Sequence, residues 1–262
     1  MKRHYAPLIA AVTLSACLAA VACRTVPETG RKQVNFMNPA EEAALGLSEF
    51  NKMKQKKKIS TDQAYNTLVQ RVGTRLSKVM PVPNAEWEFV VFEDPSPNAF
   101  ALPGGKVGVH TGLFQVSQNE AGLAAVIGHE VAHVIARHSG ERMSQGIISG
   151  VAVAGAGYML NKKTGTSGAL PTAALGGAAL LLNKKFSRKQ ELEADRMGAI
   201  FMARTGYDPR ESVELWKRFA AWRAQNATKT TPTLLSSHPL DDTRISELQR
   251  YMPEALAEYK EP

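Results

Sequence analysis

Residues 129–133 constrain this chain more than any other stretch. His129-Glu130-Val131-Ala132-His133 lies in a run where Ala124, Ala125, Val126, Ile127, Val131, Ala132, Val134 and Ile135 make a helix apolar on most sides. Such a helix is largely buried, and two histidines with a glutamate inside a core are costly unless something satisfies them. Residues four apart lie about 40° apart around the axis, one turn up, so both imidazoles can reach one cation. Glu130, about 100° from His129, can touch a water beside that cation without taking a ligand position. The spacing is that of a metal-dependent hydrolase with Glu130 as general base.

A catalytic zinc takes three protein ligands and keeps one position for water. Both cysteines, Cys17 and Cys23, lie in the first 23 residues, so the mature chain is expected to have neither a disulfide framework nor a cysteine-held metal. The third ligand is then His, Asp or Glu. Glu191-Leu192-Glu193-Ala194-Asp195 offers it, because Glu191 and Asp195 share a helix face. Glu191 can ligate while Asp195 accepts the ring N–H of a metal histidine, His129, fixing its tautomer. Glu193 is a rival ligand, and spacing leaves His110 and His238 open as well. His138 and Arg137 read as structural. His238, in a loop Ser236-Ser237-His238-Pro239, could cover the metal or stabilise an oxyanion, and Arg244 could brace that loop against an acidic side chain.

The 262 residues, 44% apolar and 21% charged, can bury a substantial core in one domain with a small appendage. Asn38-Pro39 reads as a cap and first helical residue of a helix over 39–54. Ser60-x-x-Gln63 and Ser117-x-x-Glu120 read as capping boxes opening helices over 61–79 and 118–139. Residues 87–92 have strand composition, and 98–102 with 106–110 flank Pro103-Gly104-Gly105 as a hairpin suited to a sheet edge. A Gly/Ala-rich region, 146–182, holds two apolar runs shorter than the ~20 residues that span a bilayer. It reads as small-residue helices on the body, with a hydrophobic lid or membrane-dipping hairpin as the alternative. Ser187-x-x-Gln190 opens a helix ended by Gly206, and helices over 209–226, 241–250 and 253–260 complete a helix-rich α+β chain with one small sheet.

Met1-Lys2-Arg3-His4 followed by the apolar stretch Ala6 to Ala22 reads as an export signal. Ala20-Val21-Ala22-Cys23 places small residues before a cysteine, as in a lipobox, and Leu14-Ser15-Ala16-Cys17 is a rival. Cys23 is preferred, giving a signal at 1–22, a lipidated tether at 23–37 and a catalytic domain at 38–262. Removing Lys2 and Arg3 from the formal charge of +8 leaves +6, concentrated at Lys52 to Lys58. That run reads as a solvated helix end, or as a contact with anionic headgroups. No knuckle spacing, recognition helix or aromatic-studded basic stripe points to nucleic acid.

The set Asn119-Glu120, His129-Glu130-Val131-Ala132-His133 and Glu191-x-x-Ala194-Asp195 closely resembles the gluzincin metallopeptidases of the CAAX prenyl protease and HtpX group. The likeness is nearest to their bacterial periplasmic lipoprotein branch, of the BepA and LoiP type. Thr25-Val26-Pro27-Glu28-Thr29-Gly30-Arg31, Asn98-Ala99-Phe100 with Pro103-Gly104-Gly105, Gly206-Tyr207-Asp208-Pro209, and His238-Pro239 followed by Arg244 extend it over most of 25–245. The resemblance implies one Zn²⁺ per chain on His129, His133 and Glu191, a base at Glu130, and an edge strand at Asn98, Ala99 and Phe100 beside the cleft that binds extended substrate. It implies a periplasmic, lipid-anchored enzyme, at the outer membrane, acting on unfolded or misassembled envelope proteins beside the envelope assembly machinery. The chain departs from the group in lacking flanking membrane spans and in stopping short of a helical-repeat domain. Intramembrane substrates and repeat-mediated docking are therefore not expected. A zinc-stabilised chaperone or assembly factor with little proteolysis is the other reading, separated from the first by comparing cleavage with a Glu130→Gln variant.

Overall fold

The computed structural model describes residues 23–82, 84–149, 185–226, 233–239 and 242–260. The signal segment, Cys17 and most of the Gly/Ala-rich region lie outside these residues. The chain divides into two units, one formed by residues up to Asn38 with those from Ser139 to Gly176, the other by Pro39–His138 with the residues from Gly177 onward.

In the first unit, β1 (Cys23–Thr25) pairs antiparallel with β2 (Lys32–Val34). The stretch read as a tether thus carries local structure, with Cys23 exposed at its start. The turn between the strands closes through Val26 N–H to Arg31 O (2.8 Å) and Gly30 N–H to Val26 O (3.0 Å). It presents Arg31 to both oxygens of Glu141 at 2.8 and 3.0 Å, and the Phe36 N–H donates to Ser144 Oγ.

The second unit is α+β and helix-rich. Helix α1 (Pro39–Lys56) opens with proline where no amide donor is needed, and carries Glu41 and Glu42 in its first turn and Lys54 and Lys56 in its last, matching the helix dipole. Four of the lysines in the run at the end of this helix are paired locally. Lys52, Lys54, Lys57 and Lys58 pair with Glu49, Glu88, Asp94 and Glu93. Helix α2 (Gln63–Ser77) is capped by Asp62, which accepts from Tyr65 N–H, rather than by Ser60. Ser60 is buried, its amide bonded to Val91 O, so its backbone is committed to the sheet.

The three-stranded sheet runs β3 (Glu88–Phe92), β5 (Lys106–His110), β4 (Ala99–Leu102), with β3 parallel and β4 antiparallel to β5. The hairpin forms as expected, but of its two strands β4 alone lies at an edge of the sheet and β5 is central. Every residue of β5 is buried, and a Cβ on Gly108 would clash with the Phe100 ring. The turn-forming Gly104 and Gly105, with φ of 87° and 82°, lie outside the strands and leave β5 free to occupy the centre.

A 3₁₀ turn (Thr111–Leu113) and the short α3 (Phe114–Ser117) lead to α4 (Glu120–Ile135). Its cap is Asn119, which accepts from Gly122 N–H, not Ser117, which closes α3. Glu120 is instead held by Arg71 (2.6 Å) and the Tyr207 hydroxyl (2.6 Å). Helix α4 stops short of the expected residue 139. Arg137 turns to φ 53°, held by Glu42 at 2.8 Å, and a new helical run begins at 138.

Helix α5 (Arg188–Arg204) has the anticipated Ser187–Gln190 capping box and ends in a Schellman pattern at Gly206, with Tyr207 N–H to Met202 O and Gly206 N–H to Ala203 O both 3.0 Å. It packs along α4. At the crossing both helices carry glycine: a Cβ on Gly198 would lie 2.9 Å from His129 N. Two backbones in near contact set the depth at which the α5 side chains reach α4. Helix α6 (Glu211–Gln225) and the five-residue α7 (Thr233–Ser237) follow, α7 taking Ser236 and Ser237 of the expected loop and leaving His238 and Pro239 outside a helix. Two expected helices at the end are one, α8 (Asp242–Ala257), running through Pro253 because Leu248, Met252 and Ala255 form a continuous buried stripe. Among the described residues no helix is long and apolar enough to cross a membrane.

Candidate metal centre

Four buried side chains from three segments meet at one point. His129 and His133 come from α4, Glu191 from the first turn of α5, and His238 from the residue after α7. His129 Nε2 is 3.2 Å from His133 Nε2, 3.3 Å from His238 Nδ1 and 3.5 Å from Glu191 Oε2. Glu191 Oε1 is 3.6 Å from His133 Nε2 and 2.9 Å from His238 Nδ1. Ligands at bond lengths of about 2.0–2.2 Å on a tetrahedron stand roughly 3.3–3.6 Å apart, close to the His129–His133, His129–His238, His129–Glu191 and His133–Glu191 separations, and the four donor atoms all lie within 4.8 Å of one another. Three imidazole nitrogens and a carboxylate facing one another form a donor set that could hold a metal ion. Glu191 and Asp195 are buried carboxylates that share the guanidinium of Arg244.

The surroundings hold these groups firmly. Asp195 Oδ1 lies 2.9 Å from His129 Nδ1 and also receives Trp216 Nε1–H (3.2 Å) and Arg244 Nη2 (2.8 Å), while Asp195 Oδ2 receives Arg244 Nε (2.9 Å). Arg244 Nη1 forms an ion pair with Glu191 Oε2 at 2.8 Å, and its guanidinium lies over the Trp216 ring. Phe186 stacks on His133 at 3.8 Å, and its amide donates to Ser237 O, fixing the strand of chain that leads to His238.

The electrostatics follow. Burial alone would lower the His129 pKa, but Asp195 and Glu191 outweigh it and push it up to about 9. Burial opposes ionisation of Glu191 and Asp195 too. His238, Arg244 and His129 overcome it at Glu191, and Arg244 with His129 at Asp195, so both stay below the usual carboxylate range. Glu130 goes the other way, raised by burial. Its Oε1 is buried without a hydrogen-bond partner, with His238 Nε2 3.5 Å away.

The expected residues divide cleanly. His129, Glu130, His133, Glu191, Asp195, His238 and Arg244 converge, and His238 and Arg244 are 4% and 1% exposed where the loop reading allowed a surface place. His110 stands elsewhere, at the end of β5, in contact with Ser96 Oγ, Asp94 and Lys57 Nζ. Glu193 faces away from the group, toward His138. Asn98, Ala99 and Phe100 lie at or just before β4, which packs against α4 and is unpaired along its outer side among the described residues. Cys23 is in the other unit. Trp216 and Phe186 had no sequence signal beyond being large aromatics.

Residues 63–252 match the model of peptidase family M48. The mitochondrial metalloendopeptidase OMA1 of Schizosaccharomyces pombe is 36% identical over 187 residues, covering 71% of this chain and 53% of its own length. The putative beta-barrel assembly-enhancing protease of Vibrio cholerae is 28% identical over 251 residues, 92% of this chain and 51% of its own. The beta-barrel assembly-enhancing protease of Escherichia coli is 26% identical over 252 residues, 94% and 51%. The chain thus spans about half the length of these relatives. With its family model matched across both helices of the four-donor group, the chain belongs to peptidase family M48.

Proposed function

We propose that this chain is a zinc-dependent endopeptidase of misfolded or misassembled cell-envelope proteins. In this reading His129, His133 and Glu191 hold the metal and Glu130 is the general base. The observation that carries it is the buried four-donor group beside a carboxylate oxygen that has no hydrogen-bond partner. A bound zinc ion would supply Lewis acidity toward the scissile carbonyl and an acidified water. Glu130, made more basic by burial, would take a proton from that water and pass it to the leaving amine. Asp195 would keep the His129 ring oriented, Arg244 would keep Glu191 and Asp195 ionised, and His238 would cover the remaining corner until substrate displaces it. The open side of β4 would take an extended peptide through backbone hydrogen bonds.

The names of the beta-barrel assembly-enhancing relatives support an envelope role. The basic, then apolar, N-terminus and the small residues before Cys23 support export and lipid attachment, and the reading places the anchored enzyme in the periplasm at the outer membrane. His238 at the fourth corner favours a second reading, a zinc-stabilised assembly factor that rarely cuts. Unfolded casein incubated with zinc-loaded protein separates them. The wild type cleaves it, and Glu130→Gln keeps its zinc but slows cleavage by about 10²–10⁴-fold. Equal residual rates in both proteins would sink the peptidase reading.

A further inference from the structure

Behind His133, on the side away from the four-donor group, runs a second buried line of polar contacts. His133 Nδ1 and His138 Nδ1 are 2.7 Å apart, and His138 Nε2 is 2.9 Å from Glu193 Oε2. His138 is fully buried and Glu193 is 7% exposed. Two ring nitrogens at that separation share one proton, so one donates and the other accepts.

The direction of sharing follows from what His133 does, and here the inference rests on the metal-ligand reading above. His133 Nε2 faces the group, 3.2 Å from His129 Nε2, so its lone pair must be bare there. A neutral imidazole with a bare Nε2 carries its proton on Nδ1. That proton points at His138 Nδ1, which must then be bare, leaving the His138 proton on Nε2. Glu193, a carboxylate that only accepts, receives it. Each link forces the next.

We propose that His138 and Glu193 are positioning residues, a two-step relay that holds His133 in its Nδ1-protonated form, as Asp195 does for His129 in one step. The backbone is built for it. In an unbroken helix, residues five apart point about 140° away from each other and could not touch. The left-handed turn at Arg137 breaks the helix between the two histidines and swings His138 back against His133. Glu193, two residues after Glu191, reaches His138 because it leaves α5 on another side from the proposed ligand. Phe186 stacks on the His133 ring and restrains its plane.

The test uses full-length protein labelled with ¹⁵N-histidine. Long-range ¹H–¹⁵N spectra assign ring protons in the metal-free and zinc-loaded forms, and chelator competition gives zinc affinity. The expected wild-type spectrum has His133 protonated at Nδ1 and His138 neutral, protonated at Nε2. Glu193→Gln can present an amide donor to His138 Nε2 and reverse the chain. It should move the His133 proton toward Nε2 and weaken zinc by about 10- to 100-fold, with the metal-free melting midpoint unchanged. The relay is overturned if His138 is doubly protonated in the wild type, if its proton sits on Nδ1, or if Glu193→Gln binds zinc like the wild type. Should that variant not fold, the wild-type spectrum decides alone. A wild type that binds no zinc refutes the metal reading instead, and the metal-free ring protons still judge the relay.

Discussion

His238 Nε2 lies 3.5 Å from Glu130 Oε1, so the ring that fills the fourth corner of the donor group also covers the proposed base. Its other nitrogen, 2.9 Å from Glu191, completes the closure. His238→Ala should therefore raise kcat/KM on an unfolded substrate several-fold in zinc-saturated protein. A fall of more than tenfold would mean that His238 assists the reaction rather than screening it.

Among the described residues, the guanidinium that Glu191 and Asp195 share is that of Arg244. Arg244→Met would leave two buried carboxylates without it, and breaking buried pairs of this kind costs about 3–5 kcal/mol. Urea denaturation of the metal-free variant should show that loss. Excess zinc should restore part of it, since a ligand that binds only the folded state adds stability by mass action. An unchanged urea midpoint would refute the assignment.

The closeness of α4 and α5 at Gly198 is equally open to test. A Cβ there meets backbone at 2.9 Å from His129 N and 3.1 Å from Gly128 C, atoms that cannot swing aside. Gly198→Ala should cost about 1–3 kcal/mol as overpacking and should weaken zinc binding by shifting Glu191 from the histidines. Full retention of zinc affinity would show that the crossing is not what sets the donor spacing.

Much of this arrangement is legible in the sequence. Positions four apart on one helix bring His129 and His133 together, and the same rule pairs Glu191 with Asp195 on the other. Other features are not, for physical reasons. Ser60 and Ser117 match a capping pattern, yet Asp62 and Asn119 sit closer to the helix starts and do the capping. His238 is brought in after a helix of five residues, too short for periodicity to register. The approach of His138 depends on a left-handed arginine, a conformation nothing local in the sequence announces. Pro253 looks like a stop, but the buried stripe on α8 outweighs its missing donor.

Acid should weaken the fold through a group outside the donor set. His110 is 2% exposed, and burial with Lys57 nearby lowers its pKa from 6.5 to about 4 despite the opposing pull of Asp94. The unfolded chain binds that proton near pH 6.5 and the folded one only near 4, so stability is full above 6.5 and drains as pH falls to 4. The loss approaches about 3 kcal/mol. Asp94, lowered to about 2 by its Ser96, His110 and Lys57 contacts against a burial that raises it, extends the decline below pH 4. Urea midpoints measured from pH 7.5 to 4 should fall in the wild type and flatten in His110→Gln. Parallel slopes in the two proteins would exclude His110 as the source.

Arg244, the counter-charge of Glu191 and Asp195, is supplied by α8, the last helix described. A ribosome must therefore add the 49 positions that separate Asp195 from Arg244 before the two carboxylates acquire their fixed cation. A nascent chain caught earlier has its histidines but no settled partner for the acids facing them. The order of the segments thus delays the pairing of these acids until the last of the described helices is made.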